Sequence, residues 1–280
     1  MQINKIAILV VLYNKKIKDS ATIKSVLEIG NKQNLSLSIV NNGPEKIEDF
    51  SEFKNKNSDF NFIEFHEFLE NKSLSKIYNN FINDNSDADY YIIFDDDSIF
   101  KPDFITNLAE SSSDILLPLI ISQSDQKIYY PTIGGKTISS EGIIEVSGLM
   151  SISSGLTISN HFANLMSKEY GQVFDEHFAL YGIDTSFFIR TQRYSTVLNS
   201  VTITCQGSIL HSLSRAENKP LNGFRLKERL YDAALIARHY PSIKRHFYLF
   251  KKLIQNLYRC DFSNVSLLIK CYVTGKHPRS

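Results

Sequence analysis

Residues 90–98, Tyr-Tyr-Ile-Ile-Phe-Asp-Asp-Asp-Ser, decide the fold predicted for this chain. The first five are typical of a strand covered on both faces of a sheet, and three aspartates follow at its carboxyl end. Adjacent carboxylates repel one another, so this placement favours a bound cation over a solvated acidic turn. Side chains two residues apart point the same way, so Asp95 and Asp97 can share one divalent ion while Asp96 faces elsewhere. Hard oxygen ligands predict Mg²⁺ or Mn²⁺.

The residues before this segment alternate between strand and helix patterns. Ile6–Leu12 is a continuous apolar run, and Leu35–Val40 and Phe60–Phe65 are further predicted strands. Ser20 can cap a helix after the first strand, and residues 74–82 place apolar side chains at i, i+3, i+4, i+7 and i+8 of another. This alternation predicts a parallel, doubly wound sheet.

Polar residues follow three of the predicted strands. Tyr13-Asn14 comes after the first, Asn41-Asn42 after the second, and the aspartates after the strand at 90–94. In doubly wound sheets, ligands bind outside the carboxyl ends of the strands. The sequence therefore predicts one cleft to which all three clusters contribute.

The second half of the chain has a different character. Residues 115–209 alternate short apolar segments with Gly and Ser turns, which predicts mixed strand and helix. From His211 the pattern becomes helical and basic, with one helix broken at Pro241 and another at Phe247–Leu257. We predict a main domain over 1–213 and a basic helical extension over 214–280.

Composition and charge exclude several classes of protein. The 280 residues are 42% hydrophobic and 22% charged, which excludes a disordered, collagen-like or coiled-coil chain. The net charge of +1 gives no sign of a nucleic-acid partner, and none is predicted. Residues 211–280 nevertheless carry fourteen Lys and Arg against four Asp and Glu, a net +10, and residues 1–210 carry −9. Neither the glycine-rich motifs of dinucleotide-binding and P-loop proteins nor a nucleophile elbow occurs.

The sequence predicts a reducing, cytoplasmic location. Cys205, Cys260 and Cys271 are too few and too scattered for a disulfide framework or a zinc site. Only one Lys precedes the run Ile6–Leu12, and Tyr-Asn-Lys-Lys follows it where a signal peptide would have small residues. No stretch approaches the ~20 apolar residues of a membrane span. We expect a cytoplasmic protein, at most peripheral at the inner face of the cell membrane.

His211 ends a predicted strand at 203–210 and is the candidate third metal ligand. Neutral imidazole binds divalent ions, and Ser212 and Ser214 offer supporting oxygens. The alternative is a structural or surface histidine, since the chain contains seven histidines.

Asp184 stands where a helix bearing Phe187 and Phe188 is predicted to begin. A carboxylate beside a cleft can take a proton from an attacking hydroxyl. The alternative is an N-cap, because Asp is favoured at that position. The turn Ser153-Ser154-Gly155 also has two interpretations, a place where a sugar approaches the backbone or a hairpin bend.

Residues 244–259 interleave Lys and Arg with aromatic and aliphatic side chains. A cationic, aromatic amphipathic helix fits the headgroup zone of an anionic membrane. It could as well pack on the main domain and pair with a second copy of the chain as a homodimer. Both interpretations stay open.

In their order, these motifs resemble those of the family-2 glycosyltransferases of the GT-A fold, particularly rhamnosyltransferase- and galactofuranosyltransferase-like members. The resemblance extends from Ile6 to about His211. Its pieces are, in chain order, Tyr13-Asn14, Val40-Asn41-Asn42-Gly43, Asn71 with Asn79, Phe94–Ser98, Ser154-Gly155, Phe174-Asp175-Glu176, Asp184 with Arg190, and His211.

The resemblance implies an α/β fold with a Rossmann-like, doubly wound, mostly parallel sheet and a C-terminal helical extension. It implies an inverting, hexosyltransferase-type enzyme that moves a sugar from a UDP- or dTDP-sugar donor to a hydroxyl of a glycan or lipid-linked glycan, as in bacterial surface polysaccharide synthesis. Residues 1–100 would hold the nucleotide and residues 101–213 the acceptor.

The family's functional residues carry over to this sequence as expectations. The donor would contact Tyr13, Asn14, Asn42, Asn71, Asn79, Asp95 and Asp96. Mn²⁺ or Mg²⁺ would bind Asp95, Asp97 and His211. Asp184 would be the catalytic base, and the acceptor would contact Ser154, Gly155, Phe178 and Tyr181.

Two positions depart from the family pattern. Asn41 replaces a frequent Asp, which leaves the donor base open, and Ser186 stands where relatives often carry a second acid. The chain has no Trp, so Phe178 and Tyr181 are the candidates for stacking on an acceptor sugar.

Two other functions compete with this one. A haloacid-dehalogenase-like phosphatase also places Asp-x-Asp after a buried strand, with Asp95 as nucleophile, but Ile99 and the distance from the amino terminus fit it poorly. A non-catalytic binding subunit on the GT-A fold could recruit partners through its basic tail. Such a subunit has no need to keep the aspartates, Asp184 and His211.

Overall fold

Strands and helices alternate along the first hundred residues, as predicted. The computed structural model describes residues 4–197, 201–213 and 223–280. Its strands are β1 Ile6–Leu12, β2 Leu35–Asn41, β3 Phe62–Glu67, β4 Tyr90–Asp95, β5 Ile115–Ser122, β6 Ile128–Tyr130, β7 Thr132–Ile133, β8 Lys136–Thr137, β9 Gly142–Ile144, β10 Leu149–Met150, β11 Leu156–Ser159 and β12 Ile203–His211. Its α-helices are α1 Ala21–Leu27, α2 Phe50–Lys56, α3 Leu74–Asp84, α4 Asp103–Thr106, α5 Asn160–Tyr170, α6 Ile183–Val197, α7 Gly223–His239, α8 Ile243–Tyr258 and α9 Phe262–Thr274.

One central sheet organises these elements. Its strands lie in the order β3-β2-β1-β4-β11-β5-β12-β9, with β6 also paired to β5. The four longest pairings, β1 with β2, β1 with β4, β2 with β3 and β5 with β12, are parallel, whereas β11 runs antiparallel to both β4 and β5. A small second sheet has the order β10-β7-β8. The predicted α/β fold with a mostly parallel, doubly wound sheet is confirmed.

Burial on both faces explains why β1 is apolar throughout. Successive side chains of a strand point to opposite faces. Ile8 shares one buried cluster with Ile23 of α1, and Leu9 shares the other with Ile77 of α3. Each such side chain contributes about 1.5–3 kcal/mol when it is fully removed from water. The two layers of helices hold the sheet, and with it the strand ends, in place.

The capping residues set the ends of several helices. Ser20 caps α1 as predicted, since its Oγ accepts a hydrogen bond from the Ile23 amide at 3.1 Å. Helix α8 begins at Ile243, earlier than predicted, because Ser242 Oγ accepts from the Arg245 amide at 3.2 Å directly after Pro241. The third strand lies two residues later than predicted, at Phe62–Glu67.

The last three helices share a core with the rest of the chain. Leu230 of α7, Leu249 of α8 and Leu268 of α9 belong to the same buried cluster as the apolar face of α3. The proposed boundary at residue 213 adjoins residues 214–222, which lie outside the described ranges, so the division into domains stays a prediction. Among the described helices, none combines the length and apolar character required to cross a membrane.

Candidate active site

The carboxyl ends of three neighbouring parallel strands form one edge of the sheet. Leu12 pairs with Asn41 across β1 and β2, and Val11 pairs with Asp95 across β1 and β4. The polar residues after β1, β2 and β4 therefore lie side by side, where the sequence predicted a cleft. The Tyr13 amide donates to Asp96 Oδ2 at 3.1 Å, which joins two of the three clusters directly.

Asp96 and Asn14 complete this edge. The Lys15 ammonium forms an ion pair with the Asp96 carboxylate. Asn14 adopts a left-handed backbone with φ +52°, and its amide donates to the Gly43 carbonyl at 2.7 Å. Gly43 also has φ +83°, and a Cβ there would lie 2.5 Å from the Leu69 carbonyl oxygen, so only glycine fits.

Asn42 and Asn71 face each other beyond the end of β2. Asn42 is buried, and its Nδ2 donates to Asn71 Oδ1 at 3.3 Å and to the Lys72 carbonyl at 3.0 Å. Its Oδ1 is buried without a hydrogen-bond partner among the described residues. A buried acceptor without a donor is costly, so this oxygen indicates a place where a ligand N–H can bind.

Asn79 lies apart from this pair and is occupied by the protein itself. Its Nδ2 donates to the Phe174 carbonyl at 2.9 Å and to Glu176 Oε1 at 3.0 Å, and its Oδ1 accepts from the Phe174 amide at 2.9 Å. The amide group thus joins α3 to the loop after α5. In the structure, Asn79 therefore fixes this loop against α3. Its contact with the donor stays a prediction.

Asp95, Asp97 and His211 converge, although β4 and β12 are separated by two strands. The chain after Asp97 turns back so that Ile99 and Leu210 exchange backbone hydrogen bonds of 2.8 Å in both directions. This bridge places His211 Nδ1 3.0 Å from Asp97 Oδ1, and His211 Nε2 3.8 Å from Asp95 Oδ2. One ligand atom from each of the three residues lies within 4.8 Å of the others.

The electrostatics of this group fit a divalent cation. Asp95 is partly buried, and the surrounding protein and the neighbouring aspartates raise its pKa to about 6, against the lowering effect of His211. Burial lowers the pKa of His211, but the three aspartates outweigh it and raise the pKa overall. Asp97 Oδ1 is buried and, despite its short distance to His211, makes no hydrogen bond of good geometry. A hard divalent cation would offset the repulsion among the carboxylates, and it would be coordinated by Asp97 Oδ1 and by the imidazole of His211.

The turn at 153–155 separates this group from Asp184. Ser154 Oγ accepts from the Asp95 amide at 3.2 Å and lies 2.7 Å from Ser98 Oγ. Ser153 lies beside Asp184, where polar groups of its side chain and backbone act to lower the pKa of this carboxyl. Gly155 has φ +79°, and a Cβ there would lie 2.6 Å from Pro118 Cγ, so packing alone requires glycine. The predicted contacts of Ser154 and Gly155 with an acceptor stay predictions.

Asp184 is not an N-cap. Helix α6 begins at Ile183, so Asp184 occupies the first turn inside the helix. Burial raises the pKa of Asp184 to about 7, with a further increase from Asp95 and Asp232 that the Ser153 hydrogen bonds only partly offset. A partly buried carboxyl with this pKa is present in both its protonated and its ionised form at neutral pH.

The two aromatic candidates differ in accessibility. Phe178 is fully buried, and its carbonyl accepts from Ser73 Oγ at 3.1 Å, so its ring is part of the core. Tyr181 is half-buried, and the Arg229 guanidinium lies 5.5 Å from the centre of its ring. Of the two, only Tyr181 presents ring surface to solvent, and the stacking role of both stays a prediction.

Helix α7 brings to the site residues that carry no functional signal in the sequence. Arg229 contacts Tyr181, and Asp232 Oδ1 would lie only 2.4 Å from a Cβ on Gly182. Arg229 and Asp232 are three residues apart, so they share a face of α7. That periodicity was visible in the sequence, but nothing local connected the face to Asp184. Ser212 lies just after β12, and Ser214 lies outside the described residues.

An ionic cluster fixes the loop before α6. Asp175 Oδ2 lies 3.1 Å from Arg190 and accepts a hydrogen bond from the Tyr240 hydroxyl, and Asp175 Oδ1 lies 2.6 Å from His177 Nδ1. Burial opposes the charge on Asp175, but these three partners hold its pKa well below the usual range. Asp175 therefore acts as a structural anion between α6 and the residue that follows α7.

Solved structures with a similar fold are glycosyltransferases. The Staphylococcus aureus protein TarS, residues 1–349, superposes with a TM-score of 0.57 at 11% identity over 98% of this chain and 93% of that chain. The same TarS fragment in complex with UDP-GlcNAc gives a TM-score of 0.57 at 12% identity, over the same shares of the two chains. The mannosyltransferase PcManGT from Pyrobaculum calidifontis, in complex with GDP-Man and Mn²⁺, gives a TM-score of 0.54 at 11% identity over 98% of this chain and 87% of that chain. No protein-family model and no curated protein sequence matches the chain.

At these identities the similarity establishes the fold, which is the GT-A fold of glycosyltransferases. The phosphatase alternative requires a different fold and loses its support. The expected membership of the rhamnosyltransferase- and galactofuranosyltransferase-like subgroup stays a prediction.

Proposed function

We propose that this protein is a metal-dependent glycosyltransferase that transfers a sugar from a nucleoside diphosphate to an acceptor hydroxyl with inversion. The observation that carries the proposal is the connection of two chemical groups through one turn. Ser154 contacts Asp95 of the three-ligand group, and Ser153 contacts Asp184. A cation-binding group and a general base thus lie on opposite sides of residues 153–155.

The donor nucleotide occupies the cleft at the ends of β1, β2 and β4. Tyr13 offers an exposed ring for stacking, and Asn42 Oδ1 offers a buried acceptor without a partner in the described structure. The imide N–H of uracil or thymine is a donor that suits this oxygen, which favours a UDP- or dTDP-sugar. The UDP-GlcNAc complex of TarS, a protein of the same fold, supports this assignment.

Asp95, Asp97 and His211 would hold Mn²⁺ or Mg²⁺, which supplies Lewis-acid stabilisation to the departing diphosphate. The Mn²⁺ complex of PcManGT supports a divalent cation in this fold. Ser98 Oγ lies 3.0 Å from His211 Nδ1 and 2.7 Å from Ser154 Oγ. Ser98 therefore orients the imidazole so that its other nitrogen, Nε2, points towards Asp95.

Asp184 takes the proton from the acceptor hydroxyl as that oxygen attacks the anomeric carbon. One base and one displaced diphosphate suffice for a single displacement, which inverts the configuration and needs no covalent intermediate. Ser153 lies beside the Asp184 carboxylate, and burial, with Asp95 and Asp232, keeps its pKa high enough to accept a proton. General base catalysis of this kind contributes about 10²- to 10⁴-fold in rate.

The acceptor approaches from the side of Tyr181 and α7. Tyr181 and Arg229 line this approach, and their ring and guanidinium groups suit a sugar. Ser154 and Gly155 are buried behind them and stay predicted acceptor contacts. In this proposal residues 1–100 bind the donor and residues 101–213, completed by α7, bind a glycan or lipid-linked glycan. Synthesis of a bacterial surface polysaccharide is the process we propose for it.

Nucleotide binding, measured as a rise in melting temperature, is the first test of the proposal. We would measure UDP, dTDP, GDP, CDP and CMP, each with Mn²⁺ or with EDTA. A ligand at 100 times its Kd stabilises the protein by about 2.7 kcal/mol, which a melting curve detects. We expect UDP or dTDP to stabilise with Mn²⁺ only, and Asp97→Asn to remove the effect. Stabilisation without turnover of any sugar nucleotide would instead support the binding subunit, and no stabilisation by any nucleotide would contradict both.

A further inference from the structure

Helix α8 exposes a continuous apolar stripe. It has seven exposed large hydrophobic side chains, of which Tyr248 lies apart from the others. At 100° per residue, the other six fall within an arc of roughly 100°. They are Ile243, Phe247, Phe250, Ile254, Leu257 and Tyr258. Ile243 is 91% exposed, Phe247 69% and Tyr258 90%, whereas Leu249 on another side of the helix is buried in the core. Large apolar side chains in a row at such exposure indicate an interaction surface.

Helix α9 extends this surface. Phe262, Ile269 and Val273 are exposed and recur at i, i+7 and i+11, while Leu268 is buried on another side of the helix. The two helices are in contact, since His246 Nε2 lies 3.2 Å from the Tyr272 hydroxyl. We call the exposed apolar side chains of α8 and α9 the apolar patch.

Cations surround the apolar patch, and anions are missing from it. Lys244, Lys251 and Arg259 are exposed on or at the end of α8, and Lys270 is exposed on α9. Neither helix contains an Asp or a Glu. Asp261, between them, is used as the N-cap of α9, where it accepts from the Asn264 amide at 3.0 Å. The surface is therefore both apolar and positive.

We propose that the apolar patch binds the surface of an anionic lipid bilayer. Aromatic and aliphatic side chains bury in the headgroup and acyl boundary, and flanking Lys and Arg pair with lipid phosphates. A second copy of the chain is disfavoured as the occupant, because a two-fold contact would press two cationic faces together. The cores of protein interfaces are also depleted in lysine.

The structure connects the apolar patch to the acceptor side of the site. Helices α8 and α9 both pack on α7, whose Arg229 and Asp232 contact Tyr181 and Gly182. A bilayer bound at the patch would thus hold a lipid-linked acceptor close to the approach towards Asp184. This link rests on the proposed function, whereas lipid binding itself does not.

Sedimentation with vesicles tests the proposal on the full chain. The probes are vesicles of phosphatidylcholine alone and of phosphatidylcholine with 30% phosphatidylglycerol. We expect binding to the anionic vesicles only, weakened by 0.5 M NaCl. Lys244→Glu with Lys251→Glu should weaken it by about tenfold or more, because each basic residue near the surface contributes about 1 kcal/mol. Phe247→Ser with Phe250→Ser should weaken it at least as much.

Matched variants on other surfaces provide the controls. Lys24→Glu with Lys168→Glu makes the same charge change, and Phe62→Ser removes an exposed aromatic ring, so both should bind vesicles like the unmodified chain. Unchanged melting temperatures show that each variant is folded.

The proposal would be overturned if no vesicle bound the protein. It would also be overturned if binding depended neither on lipid charge nor on the residues changed in the patch variants. So would a concentration-dependent dimer in light scattering that Phe247→Ser with Phe250→Ser abolishes, because the occupant would then be a second copy. If the chain binds anionic vesicles but no nucleotide, the proposed glycosyltransferase function is contradicted and the proposed lipid binding is not.

Discussion

The ionised carboxylate of Asp184 destabilises the folded protein. Its pKa is raised to about 7 by burial, by Asp95 and by Asp232, whereas an unfolded chain gives an ordinary aspartate near 3.9. The folded state therefore binds more protons than the unfolded state between about pH 4 and 7. Stability is lost as pH rises through that window.

We expect Asp184→Asn to raise the melting temperature of the metal-free protein at pH 8. A gain of about 1 kcal/mol corresponds to roughly 2–4 °C in a chain of this size. The gain should shrink towards pH 4, because the native carboxyl is then protonated. Melting curves from pH 4 to 8 in EDTA measure it. Destabilisation at pH 8 would show that the Ser153 hydrogen bonds outweigh the buried charge.

The same residue predicts the pH dependence of catalysis. A base must be deprotonated to act, so kcat/KM should rise with pH through the region near 7 and then level. Asp232→Asn removes one of the charges that raise the pKa of Asp184, so it should move this limb to lower pH. Initial rates across pH with a sugar nucleotide measure both. If the rise of kcat/KM with pH lies at the same pH in Asp232→Asn, the pKa that controls catalysis belongs to other groups.

Gly182 shows how close α7 lies to the site. A Cβ at this position would lie 2.4 Å from both Phe178 Cδ1 and Asp232 Oδ1, and φ is +85°. Gly171 has φ +80° and nothing within 4 Å of its Cβ position, so Gly171→Ala isolates the backbone term. We expect Gly171→Ala to cost about 1–2 kcal/mol and Gly182→Ala about 1–3 kcal/mol more. Urea unfolding measures the difference, and equal costs would mean that both Phe178 and α7 move aside without resistance.

At the scale of elements, local patterns predicted the sheet because each strand carries its own signal. The run Ile6–Leu12 has no polar residue, and burial on both faces requires that. The strand ends followed from the same argument, since parallel strands bring Asn41 beside Leu12 and Asp95 beside Val11. Contacts between distant segments had no such signal. Asp232 reaches Gly182 across fifty residues, and the core position of Phe178 depends on α3 and α7 together.

The ionic cluster at Asp175 stabilises the junction between α6 and the end of α7. Its carboxylate has a depressed pKa because His177, Arg190 and Tyr240 overcome its burial, so its contribution is present above about pH 4 and lost as pH falls. We expect Asp175→Asn to destabilise the protein by about 3–5 kcal/mol at pH 7, because Arg190 loses its partner. Tyr240→Phe removes one hydrogen bond and should cost about 1–3 kcal/mol.

Chemical unfolding at pH 7 and pH 3 checks this prediction. The penalty of Asp175→Asn should shrink at pH 3, because the unfolded chain then binds a proton at Asp175 while the folded chain still holds this carboxylate ionised. A penalty that does not change with pH would indicate a packing defect rather than a lost ion pair.

At the scale of the whole molecule, residues far apart in sequence complete the donor cleft. Arg279 Nη1 donates to the Asn71 carbonyl at 2.9 Å, and Arg279 Nη2 donates to Glu228 Oε2 at 2.8 Å. Asn71 in turn accepts from Asn42, the residue with the unpartnered buried oxygen. The chain after α9 therefore supports the loop that faces the proposed nucleotide.

We expect Arg279→Ala to weaken UDP or dTDP binding several-fold, because the Asn71 loop loses its hydrogen bond and Asn42 loses a fixed neighbour. Glu228 is buried, so losing this partner should also cost about 1–3 kcal/mol of unfolding free energy. Arg279→Lys keeps a charge for Glu228 but cannot donate to both acceptors in the fixed fork of a guanidinium. It should therefore recover stability while nucleotide affinity stays low. Calorimetric titration beside urea unfolding separates the two effects. If affinity follows stability in both variants, Arg279 acts only through the fold, and the donor cleft depends on the strand ends alone.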